Sequence, residues 1–239
     1  MNDIVTALAS SFRLLMTLDT DLMEIAGLSM KVSGGAVMVA TAAGLPLGGL
    51  LALSRFPGRQ GLIVLMNALM GLPPVVAGLL VYLLLSRSGP LGSWGLLFTP
   101  AAMILAQSIL VIPIIASLSR QVVEDLWDNY SEQLRSLGAG PARAIWTLLW
   151  DGRFSLVTAV LAGFGRAIAE VGGIMIVGGN IRHHTRVMTS AIALETSKGD
   201  LPLALALGLL LVALAVAVNG AASLTRAAAF RFSPFGAAR

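Results

Sequence analysis

The sequence predicts an all-α polytopic membrane protein, and three observations carry that prediction. Only 12% of the 239 residues are charged, about half the fraction of an ordinary soluble domain. The mean hydropathy is +0.86. Several apolar runs reach the roughly 20 residues that a helix needs to cross a hydrocarbon core. A membrane β-barrel needs short segments of alternating polarity, and the chain has no such pattern. The absence of cysteine removes disulfides, thiolate metal sites and cysteine nucleophiles. The net charge of +4 is dispersed, much of it at the ends of apolar runs. There it sets topology rather than binding nucleic acid. No basic stretch leads into an apolar core at the start, so no cleavable signal peptide is expected.

Residues 1–20 read as an amphipathic, interfacial segment. Ile4, Leu8, Phe12 and Leu15 recur at helical spacing, with Ser10, Ser11 and Arg13 off the stripe. Such a helix lies on a membrane surface or packs its stripe against the body of the protein; both readings stay open. Residues 21–224 form a single transmembrane domain. Asp21 with Glu24 resembles a capping box. The first span covers 25–53, longer than a bilayer needs, and is expected to tilt or protrude. Lys31 suits the headgroup zone, where its stem snorkels. Gly44 and Gly48, around Pro46, form a small-xxx-small pair for close helix packing. The turn 54–60 holds Arg55 and Arg59 and reads as cytoplasmic.

The second span, 61–85, is interrupted by Gly71-Leu72-Pro73-Pro74. Two prolines remove backbone donors, and a membrane tolerates this only where protein or water satisfies the freed carbonyls. The break reads as lining a pathway; a packing kink is the alternative. The loop 86–94 lies on the opposite face, with Trp94 and Phe98 as interfacial anchors. The third span is 100–118. Pro100 suits a first helical turn, Pro113 is expected to kink the far end, and Gln107 is expected to hydrogen-bond another helix. A polar segment, 119–153, follows. The fourth span is 154–177, a second polar connection covers 180–200, and the fifth span is 201–224, with Asp200 as cap and Pro202 in its first turn. Residues 225–239 form a basic tail with Arg226, Arg231 and Arg239.

Five spans place the termini on opposite faces. With the Arg55/Arg59 turn in the cytoplasm, the N-terminus is outside and the tail inside. Two arginines of that turn, four between 120 and 153 and three of the tail then make nine of the sixteen basic residues cytoplasmic. The outer loop holding Arg182, Arg186 and Lys198 runs against the positive-inside bias and is marked as functional for that reason. His183 and His184 lack carboxylates at ligand spacing, so no metal site is expected.

The polar segment contains Glu132-Gln133-Leu134-Arg135-Ser136-Leu137-Gly138-Ala139-Gly140-Pro141-Ala142-Arg143. A membrane protein has little use for it unless it meets another protein. The pattern predicts a short helix over 130–137, a turn at 138–141 and a second helix over 142–149. Gly138 and Gly140 permit positive φ or close backbone approach, and Pro141 suits a first turn. An ordinary interhelical loop is the alternative. No phosphate-binding loop of the form Gly-x-x-x-x-Gly-Lys-Ser/Thr occurs. No catalytic constellation occurs either, so the chain is not expected to be an enzyme, and energy must come from a partner or an ion gradient.

Glu132 and Gly138, six residues apart, with Leu137-Gly138-Ala139, resemble the cytoplasmic signature of ABC importer permeases. That signature reads roughly Glu-Ala-Ala, three residues, Gly, nine residues, Ile-x-Leu-Pro. Here Gln133 and Leu134 replace the alanines, and Leu148, Trp150 and Asp151 stand at the end of the motif. The runs 71–76, 164–172 and 178–181 are similar to permeases of molybdate and tungstate importers. The runs 55–59 and 194–200 are similar to the tungstate branch. The resemblance covers about residues 25–222. It implies a type I ABC importer permease fold of five spans with a coupling loop at 119–153. It implies a homodimeric pore in a bacterial or archaeal cytoplasmic membrane, two cytoplasmic ATPase subunits carrying ATP and Mg, an external oxyanion-binding protein, and no cofactor on this chain. The cargo implied is tungstate, with molybdate or another oxyanion as the alternative.

By the same resemblance, Glu132, Leu137, Gly138, Ala139, Gly140, Pro141 and Arg143 couple to the ATPase. From the residues themselves, Pro73, Pro74, Arg166 and Glu170 are expected to line the pathway, with Asn180 of the 178–181 run, and Arg182 and Arg186 are expected to meet acidic patches on a docking protein. Arg166 and Glu170 are four apart and share a helix face, so they can pair. Charges at that depth are costly and mark function by default. One reading is a self-neutralised structural pair. The other is that Arg166 helps the anion pass while Glu170 prevents its trapping. A reading from a different class is an ion-coupled secondary transporter acting alone. It needs internal repeats or buried acidic ion sites, and neither is clear here.

Overall fold

The structure, a computed structural model, describes residues 2–17 and 19–232, with side chains described from 9 to 224 apart from 18. Ten α-helices carry the described chain: α1 Asn2–Met16, α2 Thr20–Leu53, α3 Arg59–Met70, α4 Pro74–Leu85, α5 Pro100–Ser136, α6 Pro141–Asp151, α7 Arg153–Ile168, α8 Gly172–Gly178, α9 Met188–Lys198 and α10 Leu201–Phe232. Helices α2, α5 and α10 are each long and apolar enough to cross a membrane. Two bent pairs, α3 with α4 at 104° and α6 with α7 at 76°, raise the number of candidate spans to as many as five.

The chain divides into two compact units. The first comprises Met1–Ala36, Pro73–Gln107 and Arg166–Ala217. Within it α4 packs on α8 so closely that a Cβ on Gly78 would lie 2.6 Å from the Gly173 Cα. The loop before α5 is pinned there too: the Phe98 N–H donates to the Val177 carbonyl at 3.0 Å, and its ring meets Tyr82 edge-on. Phe98 is therefore partly a packing residue, while Trp94 stands 64% exposed. On α1, Ser11 is buried and donates to the Pro202 carbonyl, whereas Phe12 is 55% exposed. Leu15, the other described residue of the stripe, is half-buried, so the stripe divides between solvent and the body of the protein. The Ile4 and Leu8 side chains lie outside the described residues.

The second unit comprises Val37–Leu72, Ser108–Gly165 and Val218–Arg239. Here α2 meets α5 through Gly48, where a Cβ would lie 2.7 Å from the Ser119 Cβ and 2.8 Å from the Arg120 nitrogen. Helix α6 buries Ala144, Ile145, Leu148 and Leu149. The last three join Val123 and Leu156 in one apolar cluster.

Several expectations are corrected. Asp19, not Asp21, caps α2, its Oδ1 accepting from the Asp21 and Leu22 N–H groups at 3.0 and 3.2 Å. Asp21 and Glu24 instead reach across to another loop. Pro113 lies within α5, which continues through it, with Val111, Ile115 and Ala116 around it fully buried. The third span, the start of the polar segment and the expected short helix are one 37-residue helix. Its polar part still presents Val122, Val123, Leu126, Trp127, Tyr130 and Leu134 to the α6 cluster at helical spacing, so it has an apolar stripe to continue on. The fourth span is divided at 169–171 into α7 and α8. The polar connection 180–200 contains α9, held down by a Met188 N–H to Ser29 Oγ bond of 2.7 Å. The tail continues α10 as far as Phe232; Arg226 and Arg231 lie on that helix, and Arg239 lies outside the described residues.

Candidate functional site

The turn after α5 has a simple physical cause. Gly138 has φ 68°, a left-handed conformation that a side chain resists. The Gly138 N–H donates to the Arg135 carbonyl and the Ala139 N–H to the Leu134 carbonyl. This pair of bonds is the Schellman arrangement that ends a helix at a glycine. Gly140, by contrast, is extended, with φ −68° and ψ 163°. Pro141 opens α6 at its first turn, where its missing N–H is not needed. The result is a presented surface: Glu132, Gly138, Gly140, Pro141 and Arg143 are exposed, Ala139 is half-buried, and Leu137 is 81% exposed. Neither Glu132 nor Arg143 has an ion-pair partner among the described residues.

The two helix breaks come together in the first unit. A Cβ on Gly173 would lie 2.8 Å from the Pro74 carbonyl, and one on Gly172 would lie 2.7 Å from Val75 Cγ2. Glu170 sits in the α7–α8 break, 3% exposed. Its Oε2 accepts from Arg166 Nη1 at 2.8 Å, and its Oε1 accepts from the Gly173 N–H at 2.9 Å. Its backbone carbonyl accepts from Thr189 Oγ1 at 2.7 Å. The carboxylate thus satisfies an orphan donor of α8 as well as the guanidinium at the end of α7. Arg166 remains 34% exposed. Gln107 lies beside the break, donating to the Ala167 carbonyl at 2.8 Å, as expected of an interhelical bond; its Oε1 is buried without a partner. Pro73 is exposed and Pro74 half-buried at the same junction. Asn180 follows α8 directly after its Gly179 cap. It has φ 51°, and its side chain braces α9 through the Ser190 hydroxyl at 3.0 Å.

A third cluster gathers the charges of the 180–200 connection around a cavity of about 230 Å³. Arg182 pairs with Asp21, and His183 Nδ1 lies 2.7 Å from Glu24 Oε2. Glu195, 7% exposed, pairs with Lys198 at 3.0 Å and Arg186 at 3.5 Å. The basic residues that oppose the positive-inside bias are therefore compensated locally by acids. Arg182 is 61% exposed, whereas Arg186 is 15% exposed and pairs with the buried Glu195. Asp21, Glu24 and His183 also bring ligand atoms within 4.8 Å of one another. The carboxylates come from α2, so the sequence around the histidines gave no sign of them.

Sequence reasoning also missed a role for Arg59 beyond topology. Its Nε donates to the Leu51 carbonyl at 2.6 Å, and its Nη2 pairs with Glu124 at 2.7 Å. Arg120 pairs with the same carboxylate. Arg59 therefore caps the last turn of α2, a role cations fill at a helix C-terminus. Its only sequence signal is a position just past the end of a long apolar run.

No family model matches the chain. The tungstate uptake system permease protein TupB of Peptoclostridium acidaminophilum is 39% identical over 219 residues, which cover 92% of this chain and 96% of that protein. A probable anion ABC transporter permease protein of Haloferax volcanii is 40% identical over 205 residues, covering 84% of this chain and 88% of that protein. The sulfate transport system permease protein CysW of a Synechocystis is 30% identical over 183 residues, covering 74% and 66%.

Proposed function

The chain belongs to the permease family of oxyanion ABC transporters, and on that premise we propose that two copies of it form the pathway by which tungstate is imported. The observation that carries the reading is the exposed turn 137–141, closed by the Gly138 Schellman bonds at the end of an unbroken α5. Two ATPase subunits dock at this turn from the cytoplasm and bind the ATP and Mg that this chain does not. Leu137 enters the partner, with Glu132 and Arg143 as flanking charges. Helix α6 is welded to α5 by the apolar cluster, so the docked surface moves as one body. An external binding protein delivers the anion, with Arg182 among the charges it meets. The membrane is the cytoplasmic membrane of a bacterium or archaeon, with the N-terminus outside and the tail inside.

In the pathway, the Pro73–Pro74 break and the α7–α8 break leave backbone outside regular helix, which a membrane tolerates only in protein or against water. Arg166 keeps donors free beyond the one Glu170 occupies and offers them to a passing oxyanion. Glu170 cancels the charge, so the anion is not held. A lone arginine at this depth would bind a doubly charged anion too well for release. Molybdate shares the shape and charge of tungstate and is the second candidate cargo.

The test is uptake into liposomes containing this chain with its ATPase and binding protein, comparing the parent with Glu132→Ala and Gly138→Pro. Both variants are expected to lose ATPase binding and ATP-dependent tungstate uptake together. Uptake by the chain alone, unchanged in both variants, would instead assign an independent transporter.

A further inference from the structure

The second unit carries a groove that the transport reading does not use. It has a volume of about 520 Å³ and runs between α2, at Thr41, Leu45 and Pro46, and α7, at Val157 and Leu161. Helix α6 closes one end with Trp146 and Trp150, which are 68% and 73% exposed. Arg153, the first residue of α7, is the only ionisable residue lining the groove among the described residues. Its guanidinium lies 5.3 Å from the Trp150 ring and 4.8 Å from the Phe154 ring. Its Nη1 donates to the Trp150 carbonyl at 2.9 Å. It has no carboxylate partner among the described residues.

We propose that this groove binds an anionic phospholipid, its phosphate on Arg153 and an acyl chain along Val157 and Leu161. The order of chemistry along the groove matches that of the lipid. Arg153, Val157 and Leu161 follow at i, i+4 and i+8, so one cation leads into an apolar track on the order of 12 Å long. Exposed indoles beside the cation mark the headgroup level, where tryptophan collects. The inner leaflet supplies anionic headgroups, and Arg153 is the last residue of the segment expected in the cytoplasm. A second copy of the chain fits less well. It would have to bring an anion of its own to Arg153, because the groove lining supplies none and an unpaired buried charge is costly. A lipid brings the phosphate with it.

The test uses the full chain extracted from vesicles of equimolar phosphatidylglycerol and phosphatidylcholine, with retained lipid counted by native mass spectrometry. The parent is expected to prefer phosphatidylglycerol by about five-fold, the effect of one cation facing an anionic headgroup. Arg153→Gln should abolish the preference, and Arg153→Lys should keep most of it. Val157→Trp, which fills the track, should lower retention of both lipids. Equal retention of the two lipids by the parent, or a preference that survives in Arg153→Gln, overturns the proposal. So does a Val157→Trp chain that changes its self-association while its lipid count stays the same, because the groove is then covered by a second copy.

Discussion

Glu170 makes two different bonds with one carboxylate, and the variants at this residue separate them. The Arg166 bond needs negative charge, whereas the Gly173 N–H bond needs only an acceptor. Glu170→Gln keeps the acceptor and loses the charge; Glu170→Ala loses both. Loss of a capping acceptor costs about 1 kcal/mol, so Glu170→Ala should melt below Glu170→Gln in detergent, and both below the parent. Uptake should fall in both, because Arg166 is uncompensated in each. If the Gln variant transports as well as the parent, the charge of Glu170 has no part in transport and the pair is structural. The two readings open at the sequence level are thus not exclusive. The cap is a structural fact, and the pathway role is what the uptake measurement decides.

Close helix contacts separate the glycines of α2 that matter from those that do not. A Cβ on Gly48 would lie within 2.8 Å of both the Ser119 side chain and the Arg120 backbone, while one on Gly34 would meet nothing within 4 Å. Backbone cannot move aside as a flexible side chain can, and overpacking typically costs about 1–3 kcal/mol. Gly48→Ala should therefore lower the apparent melting temperature in detergent by several degrees, and Gly34→Ala should leave it unchanged or slightly raised. Equal melting of the two variants would mean that α2 and α5 do not approach as described. The Gly44/Gly48 pattern and the Pro73–Pro74 break were both legible in the sequence. The α7–α8 break was legible only as a run of glycines around a charge pair. The helix over 130–137 was legible, but its unbroken continuation from the third span as one α5 was not, because the polar run 119–129, after an apolar one, reads as the end of a span. The stripe from Val122 to Leu134 packs on the α6 cluster, a contact between stretches that no local pattern announces.

For the whole molecule, the prediction is stoichiometric. A permease whose pathway is shared by two copies should co-purify with its ATPase as two copies of each, measured by light scattering or native mass spectrometry. A complex with one copy of this chain would confine the pathway to the breaks of a single protomer. Composition had already placed the chain in a membrane: a chain with 12% charged residues and long apolar runs has no aqueous fold that would bury them. The Gly138-Ala139-Gly140-Pro141 run had placed the turn after α5, since a left-handed helix end is a local, glycine-dependent event.

By itself the sequence determined what local chemistry dictates: the spans, the proline break, the glycine turn and the family that shares them. Only the tertiary structure decided which distant residues meet. Asp21 and Glu24 became the partners of Arg182 and His183, about 160 positions away in the chain. Glu195 was buried with Arg186, and α2 and α7 were brought together along the groove headed by Arg153. Ion pairs and grooves of this kind depend on how helices cross, and crossing is set by side-chain packing summed over whole faces. No short stretch of residues encodes it.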